Sequence, residues 1–124
     1  MSDKRKILVV DDDVPLATLI TEILDTMGYE ATTFNNSMDA LRHYQESGDS
    51  FDMVITDQTM PGLTGVELAK AILEQSPNMP IMLCTGFSEQ VDAERAKSLG
   101  IQGFLQKPMD IRAMTDEVNR LLGE

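Results

Sequence analysis

Five residues hold most of the chemistry this chain offers, and each lies at the end of a short apolar run: Asp11, Asp12, Asp57, Thr85 and Lys107. Ile7-Leu8-Val9-Val10 leads into Asp11-Asp12-Asp13, Met53-Val54-Ile55 into Asp57, Ile81-Met82-Leu83-Cys84 into Thr85, and Phe104-Leu105 into Lys107. Carboxylates gathered at one place repel one another and raise each other's pKa unless a cation joins them. An oxygen-only donor set without His or Cys suits a hard ion, and Mg²⁺ held by one or two carboxylates plus phosphate oxygens is the common case, with Mn²⁺ the alternative. A carboxylate beside such an ion can attack phosphorus and become an aspartyl phosphate. The ion offsets the developing charge, Lys107 can pair with the phosphoryl oxygens as a compact point charge, and Thr85 can donate one hydrogen bond to them.

Taken singly, each residue has a plainer account. An Asp after a strand is more often a helix N-cap or turn residue than a site, which suffices for Asp13 and would suffice for Asp12 alone. Lys107 alone reads as a solvated charge, and Thr85 alone as a loop hydroxyl. It is their joint occurrence at strand ends that argues against accident.

The elements that must position them follow from periodicity. The apolar runs are short and lack alternation, as strands buried on both faces do in a parallel sheet covered by helices. A weaker strand is expected at Ala31-Thr32-Thr33-Phe34. Between the strands the period becomes 3.6. Leu16, Leu19, Ile20, Ile23, Leu24 and Met27 make one amphipathic face ending at Gly28, with Pro15 in the first turn and Asp13 as N-cap. Thr64 and Glu67 form a capping box ahead of Leu68, Ala69, Ile72 and Leu73. Ile111, Met114, Val118, Leu121 and Leu122 predict the last helix. Met38, Leu41 and Tyr44 predict a short one, and Ser88 to Leu99 offers only Val91, Ala96 and Leu99 as an apolar face.

Strand–helix alternation repeated five times predicts right-handed βαβ units and a three-layer α/β sandwich, flavodoxin-like (βα)5. In the strand order 2-1-3-4-5 the first and third strands are neighbours. Ligands in such sheets bind beyond the C-terminal strand ends where the order reverses, so the carboxylates would converge there. The chain is expected to be one domain, 1–124, with residues 1–5 an N-terminal extension and 6–122 the core.

Composition narrows the function classes. The 124 residues carry 21 acidic against 10 basic side chains, a net charge of −11, which argues against nucleic acid or an anionic membrane as direct partner. One cysteine, Cys84, excludes an internal disulfide framework, and one histidine, His43, leaves no His/Cys zinc set. Cys84 reads as inert core, His43 as a surface residue and the nine methionines as core filling. No apolar run approaches the ~20 residues of a bilayer span, and no secretory segment precedes the first strand. A cytoplasmic location is expected.

On these residues the sequence resembles the receiver domain of two-component response regulators. The stretches that carry the resemblance are Ile7–Asp13; Val54-Ile55-Thr56-Asp57-Gln58-Thr59-Met60-Pro61-Gly62-Leu63-Thr64-Gly65; Leu83-Cys84-Thr85-Gly86; and Gly103-Phe104-Leu105-Gln106-Lys107-Pro108. The resemblance implies that Asp57 accepts a phosphoryl group from a phosphohistidine of a histidine kinase or its phosphotransfer domain. It implies that Asp11, Asp12 and Asp57 hold Mg²⁺ with the backbone carbonyl of Thr59, that Lys107 contacts the phosphoryl group, and that Lys107–Pro108 is cis. Thr85 and Phe104 match the family's switch pair, which alters the surface of the fourth helix, fifth strand and fifth helix. Such a domain catalyses its own phosphotransfer and dephosphorylation without turning over a free substrate. Thr59 and Phe87 border the path of attacking water in this family, and a bulky Phe87 implies a longer-lived phosphoryl group.

Other classes fit less well. A Mg²⁺-dependent phosphohydrolase would want an acid two residues after the nucleophile, where Thr59 stands. A nucleotide or flavin module would want a glycine-rich phosphate loop, and none is present. A degenerate receiver serving only as an interaction domain conflicts with the intact five-residue set. The length leaves room for a switch and none for an output, so an unidentified downstream protein is expected. The run Leu83-Cys84-Thr85-Gly86-Phe87-Ser88 is similar to C-terminal receivers of hybrid sensor kinases.

Overall fold

The computed structural model describes residues 4–86, 92–108 and 110–123. Among them, strands β1 (Lys6–Val10), β2 (Glu30–Phe34), β3 (Met53–Asp57), β4 (Ile81–Thr85) and β5 (Gly103–Gln106) alternate with helices α1 (Val14–Thr26), α2 (Ser37–Ser47), α3 (Gly65–Gln75), α4 (Ala93–Ser98) and α5 (Ile111–Leu122). The sheet is parallel throughout, in the expected order β2-β1-β3-β4-β5.

The apolar runs become the central strands because only those positions are covered twice. β3 and β4 are buried along their whole length, and β1 everywhere but Lys6. The edge strands β2 and β5 are only partly covered, which explains their weaker apolar signal. Side chains alternate between two cores. Ile7, Val9, Met53, Ile55, Met82 and Cys84 pack with Ile20 and Leu24 of α1 and Met114 and Val118 of α5. Leu8, Val10, Val54 and Leu83 pack with Tyr44 of α2, Leu68 and Ile72 of α3 and Ala96 of α4. Each fully buried aliphatic side chain contributes about 1.5–3 kcal/mol relative to exposure.

The helix starts are built as the sequence predicts. Asp13 accepts a hydrogen bond from the Leu16 N–H at 3.1 Å. The Thr64–Glu67 box closes in both directions, at 2.9 and 3.2 Å. At the sheet edge, Glu117 accepts from the Phe104 N–H at 3.1 Å while Arg120 donates to the Gln102 carbonyl at 2.9 Å and pairs with Glu117 at 2.7 Å. These contacts occupy one backbone group of β5, the Phe104 N–H, and the Gln102 carbonyl just before the strand, both of which could otherwise pair with a foreign strand.

Some helical faces are narrower than the periodicity suggests. Leu19 and Ile111 are exposed on α1 and α5, and on α2 the buried set is Ser37, Ala40 and Tyr44 while Met38 faces out. His43 is half-buried between the rings of Phe34 and Phe51, at centroid distances of 5.1 and 5.7 Å. Cys84 is buried, as expected for core. Of the expected helix from Ser88 to Leu99, Ala93–Ser98 is helical with Asp92 as N-cap. Residues 87–91 lie outside the described residues. No helix among the described residues is long and apolar enough to cross a membrane.

Candidate functional site

Period-two alternation carries past the strand ends and selects the site. Ile7 and Val9, Met53 and Ile55, and Leu105 face the α1/α5 layer, so two residues further along each strand places Asp11, Asp57 and Lys107 on that same side. There they meet. Lys107 Nζ lies 2.8 Å from Asp57 Oδ1 and 4.0 Å from Asp11 Oδ2. One carboxylate oxygen from each of Asp11, Asp12 and Asp57 lies within 4.8 Å of the others. Asp11 and Asp57 are 2% and 5% exposed, whereas Asp12 is open to solvent.

This crowding has an electrostatic consequence. Burial is the main influence pushing the Asp11 carboxyl up, to about 6; the Asp13 N–H, which donates to Oδ1 at 2.9 Å, pulls it down, Asp57 and Asp12 push it up and Lys107 opposes them. Burial alone would lower the pKa of Lys107, but its hydrogen bond to Asp57 and the charges of Asp57 and Asp11 outweigh it and raise the value, so Lys107 stays charged. An all-oxygen cluster with two buried members and one open to solvent, carrying excess negative charge, fits a hard divalent cation. Asp11, Asp12 and Asp57 are the side chains that could hold one.

The raised Asp11 value fixes a pH dependence. The folded chain keeps the Asp11 proton until about pH 6, whereas the unfolded chain releases it near 3.8. Relative stability from this group is therefore full below the unfolded value and is lost as pH rises through the folded one, by on the order of 3 kcal/mol without a metal. Mg²⁺ should recover that loss. Its effect on the melting temperature should be several degrees at about pH 7.5 and small at about pH 5. Asp11→Asn should abolish the difference, and equal Mg²⁺ shifts at both pH values would contradict it.

Backbone contacts hold the site residues in place. The Lys107 N–H donates to the Thr85 carbonyl at 2.7 Å, and the Gln58 N–H to the Cys84 carbonyl at 3.0 Å, so β4 registers both Lys107 and the loop after Asp57. Gln58 also fastens that loop to α3: its carbonyl accepts from Gly65 N–H at 2.9 Å, and its side-chain Oε1 from Val66 N–H at 2.9 Å. The Lys107–Pro108 peptide is cis. Asn35 Nδ2 donates to the Asp11 carbonyl at 2.9 Å. Gln58 and Asn35 escaped the sequence reasoning because neutral amides at turns look like ordinary turn residues.

Thr85 and Phe104 are arranged separately from the acids. Thr85 is buried in step with Ile81 and Leu83, on the opposite face of the sheet from the Asp57–Lys107 pair, and makes no side-chain hydrogen bond to the cluster among the described residues. Phe104 is half-buried against the same core as Leu83, its pairing partner, while Thr85 pairs with Gln106. The two therefore occupy diagonal positions on one face. Thr59 is exposed on the loop after β3. Phe87 lies outside the described residues.

Comparison with known proteins agrees with this geometry. Residues 7–119 match the family described as the response regulator receiver domain. The chain is 34% identical over 117 residues to the transcriptional regulatory protein CpxR homolog of Haemophilus influenzae, covering 94% of this chain and 50% of that protein. It is 30% identical over 121 residues to the response regulator receiver protein CpdR of Brucella abortus, covering 95% and 97%. It therefore spans about half the length of the first relative and nearly all of the second. A solved response regulator receiver domain protein from Clostridium thermocellum superposes with a TM-score of 0.90 at 31% identity, over 96% of this chain and 94% of that one. With an acidic corner at the C-terminal ends of β1 and β3 and a lysine beyond β5, the chain belongs to the response regulator receiver domain family, the phosphorylation-dependent switch of two-component signalling.

Proposed function

We propose that Asp57 is the phosphoryl acceptor, taking the group from a phosphohistidine of a histidine kinase or its phosphotransfer domain. The observation that carries this reading is the buried Asp57 carboxylate held at 2.8 Å by Lys107, with Asp11 and Asp12 alongside. An Asp57 oxygen forms the new O–P bond as the N–P bond breaks and its electron pair returns to the imidazole. Lys107 holds the acceptor in place and offers its positive charge to the transferred oxygens. Asp11, Asp12, Asp57 and the Thr59 carbonyl would hold Mg²⁺, or Mn²⁺ in its stead, which when bound offsets the charge of the phosphoryl group.

Phosphorylation adds about −1.5 to −2 charges and three acceptor oxygens beside Asp11 and Asp12. Thr85 moves toward that group, Phe104 turns into the space behind it, and the surface of α4, β5 and α5 changes. Thr59 and Phe87 tune how long the phosphoryl group lasts. The signal passes to a downstream protein, in the cytoplasm, with no direct contact to nucleic acid or membrane.

Incubation with Mg²⁺ and acetyl phosphate, followed by intact-mass measurement, tests the reading. A gain of one phosphoryl group, lost in Asp57→Ala and without Mg²⁺, is expected. No gain would overturn it, and release of phosphate from many unrelated phosphoesters would favour a phosphohydrolase instead.

A further inference from the structure

The turn from β2 into α2 contributes no ligand and no charge, yet it touches both halves of the acidic site. On the β1 side, Asn35 Nδ2 donates to the Asp11 carbonyl at 2.9 Å, and the Asp11 N–H donates to the Phe34 carbonyl at 3.1 Å. Both backbone polar groups of Asp11 are thus held from β2 and its turn. On the β3 side, the fully buried Ser37 Oγ donates to the Pro61 carbonyl at 3.0 Å and accepts from the Leu63 N–H at 2.9 Å. One hydroxyl therefore pins the far limb of the loop that carries Thr59. The two anchors are joined rigidly, because Asn36 between them caps α2 by accepting from Met38 and Asp39 N–H at 2.8 and 3.1 Å.

From this bridge we infer that Asn35 and Ser37 are positioning residues for the divalent cation, setting the distance between Asp11 and the loop that follows Asp57. The inference rests on Asp11, Asp12, Asp57 and Thr59 being the ligands. Its physical basis is the demand of Mg²⁺ for near-ideal octahedral geometry at about 2.0–2.1 Å, which penalises small displacements of either half. Ca²⁺ accepts longer and more variable ligand distances of about 2.3–2.6 Å, so it tolerates the same displacement better. Groups that orient ligands in this way typically affect metal affinity by about 10–100-fold.

The test is calorimetric titration of the full chain with Mg²⁺ and, separately, Ca²⁺, without any phosphodonor. Asn35→Ala and Ser37→Ala should each weaken Mg²⁺ binding by roughly tenfold and Ca²⁺ binding by less, lowering the Mg²⁺/Ca²⁺ preference. Asn35 is on an exposed turn, so its variant keeps the test open should Ser37→Ala fail to fold. Mg²⁺ affinity within about twofold of wild type in the folded variants, or equal losses for both ions, overturns the inference. If wild type binds Mg²⁺ and Asp11→Asn abolishes it while Asn35→Ala does not change it, the positioning role alone fails. If wild type binds no Mg²⁺, the ligand assignment fails and takes the inference with it.

Discussion

Gly65→Ala is expected to lower the stability of the chain by about 2–3 kcal/mol and to slow phosphoryl uptake by at least roughly tenfold. Gly65 is the first residue of α3, and its N–H reaches back to the Gln58 carbonyl at 2.9 Å. A Cβ at this position would collide with the Asp57 carbonyl oxygen and stand 3.0 Å from its carbon and 2.7 Å from Leu83 Cδ1. The first obstacle is backbone at the end of β3, not the tip of a flexible side chain. Relief therefore requires moving either α3 or the strand end that carries the Asp57 carboxylate, the proposed acceptor. The acidic cluster tolerates such a shift poorly, because its oxygens share one small volume. Gly28→Ala separates stability from positioning. Gly28 has a φ of +92° with nothing within 4 Å of an added Cβ, so the variant should cost roughly 1 kcal/mol of backbone strain and leave phosphorylation unchanged. Thermal melting and acetyl phosphate time courses on both variants check this. Wild-type uptake in Gly65→Ala would mean that α3 does not constrain the proposed acceptor, Asp57.

The contrast between Gly65 and Asp57 shows which parts of the site the sequence makes legible. Asp11, Asp57 and Lys107 can be found because strand alternation, strand order and side-chain charge all point to one corner. Asp13 is correctly an N-cap, since a carboxylate three residues beyond β1 and three before Leu16 N has that reach. Gly65, by contrast, looks like any small residue opening a helix until α3 is seen pressed on the Asp57 carbonyl. Ser37 is harder still. Its neighbours Met38 and Leu41 suggested the apolar face of α2, whereas the chain turns Met38 outward and buries the Ser37 hydroxyl against a loop more than twenty residues away in sequence. Periodicity reports where apolar side chains recur, not which neutral polar group will find a distant backbone partner. The same reason hid the Glu117–Arg120 contacts on β5, where the charged pair reads from sequence as an ordinary helical i,i+3 pair.

Lys107→Ala should have the second large effect, and its two consequences have different causes. Without phosphodonor or metal, it removes the cation 2.8 Å from Asp57 and 4.0 Å from Asp11, both nearly buried. Breaking a buried pair by deleting one partner costs about 3–5 kcal/mol when the remaining charge stays ionised. Here the cost is moderated because Asp11, already pushed up to about 6, can take a proton and relieve the repulsion. The loss should therefore be largest at alkaline pH and shrink toward about pH 5, and Mg²⁺ should stabilise the variant more than wild type. During transfer the same substitution removes the basic side chain that lies 2.8 Å from Asp57, the proposed acceptor. Phosphoryl uptake should slow by roughly 10²-fold even at saturating Mg²⁺, the size seen when a single preorganised electrostatic contact is lost. Lys107→Arg should not restore it, because a planar guanidinium cannot occupy the place of a compact ammonium between two carboxylates. Denaturation across pH with and without Mg²⁺, together with intact-mass time courses, resolves the two effects. A variant that loses stability but takes up phosphoryl at the wild-type rate would leave Lys107 as a structural counter-charge and remove it from the chemistry.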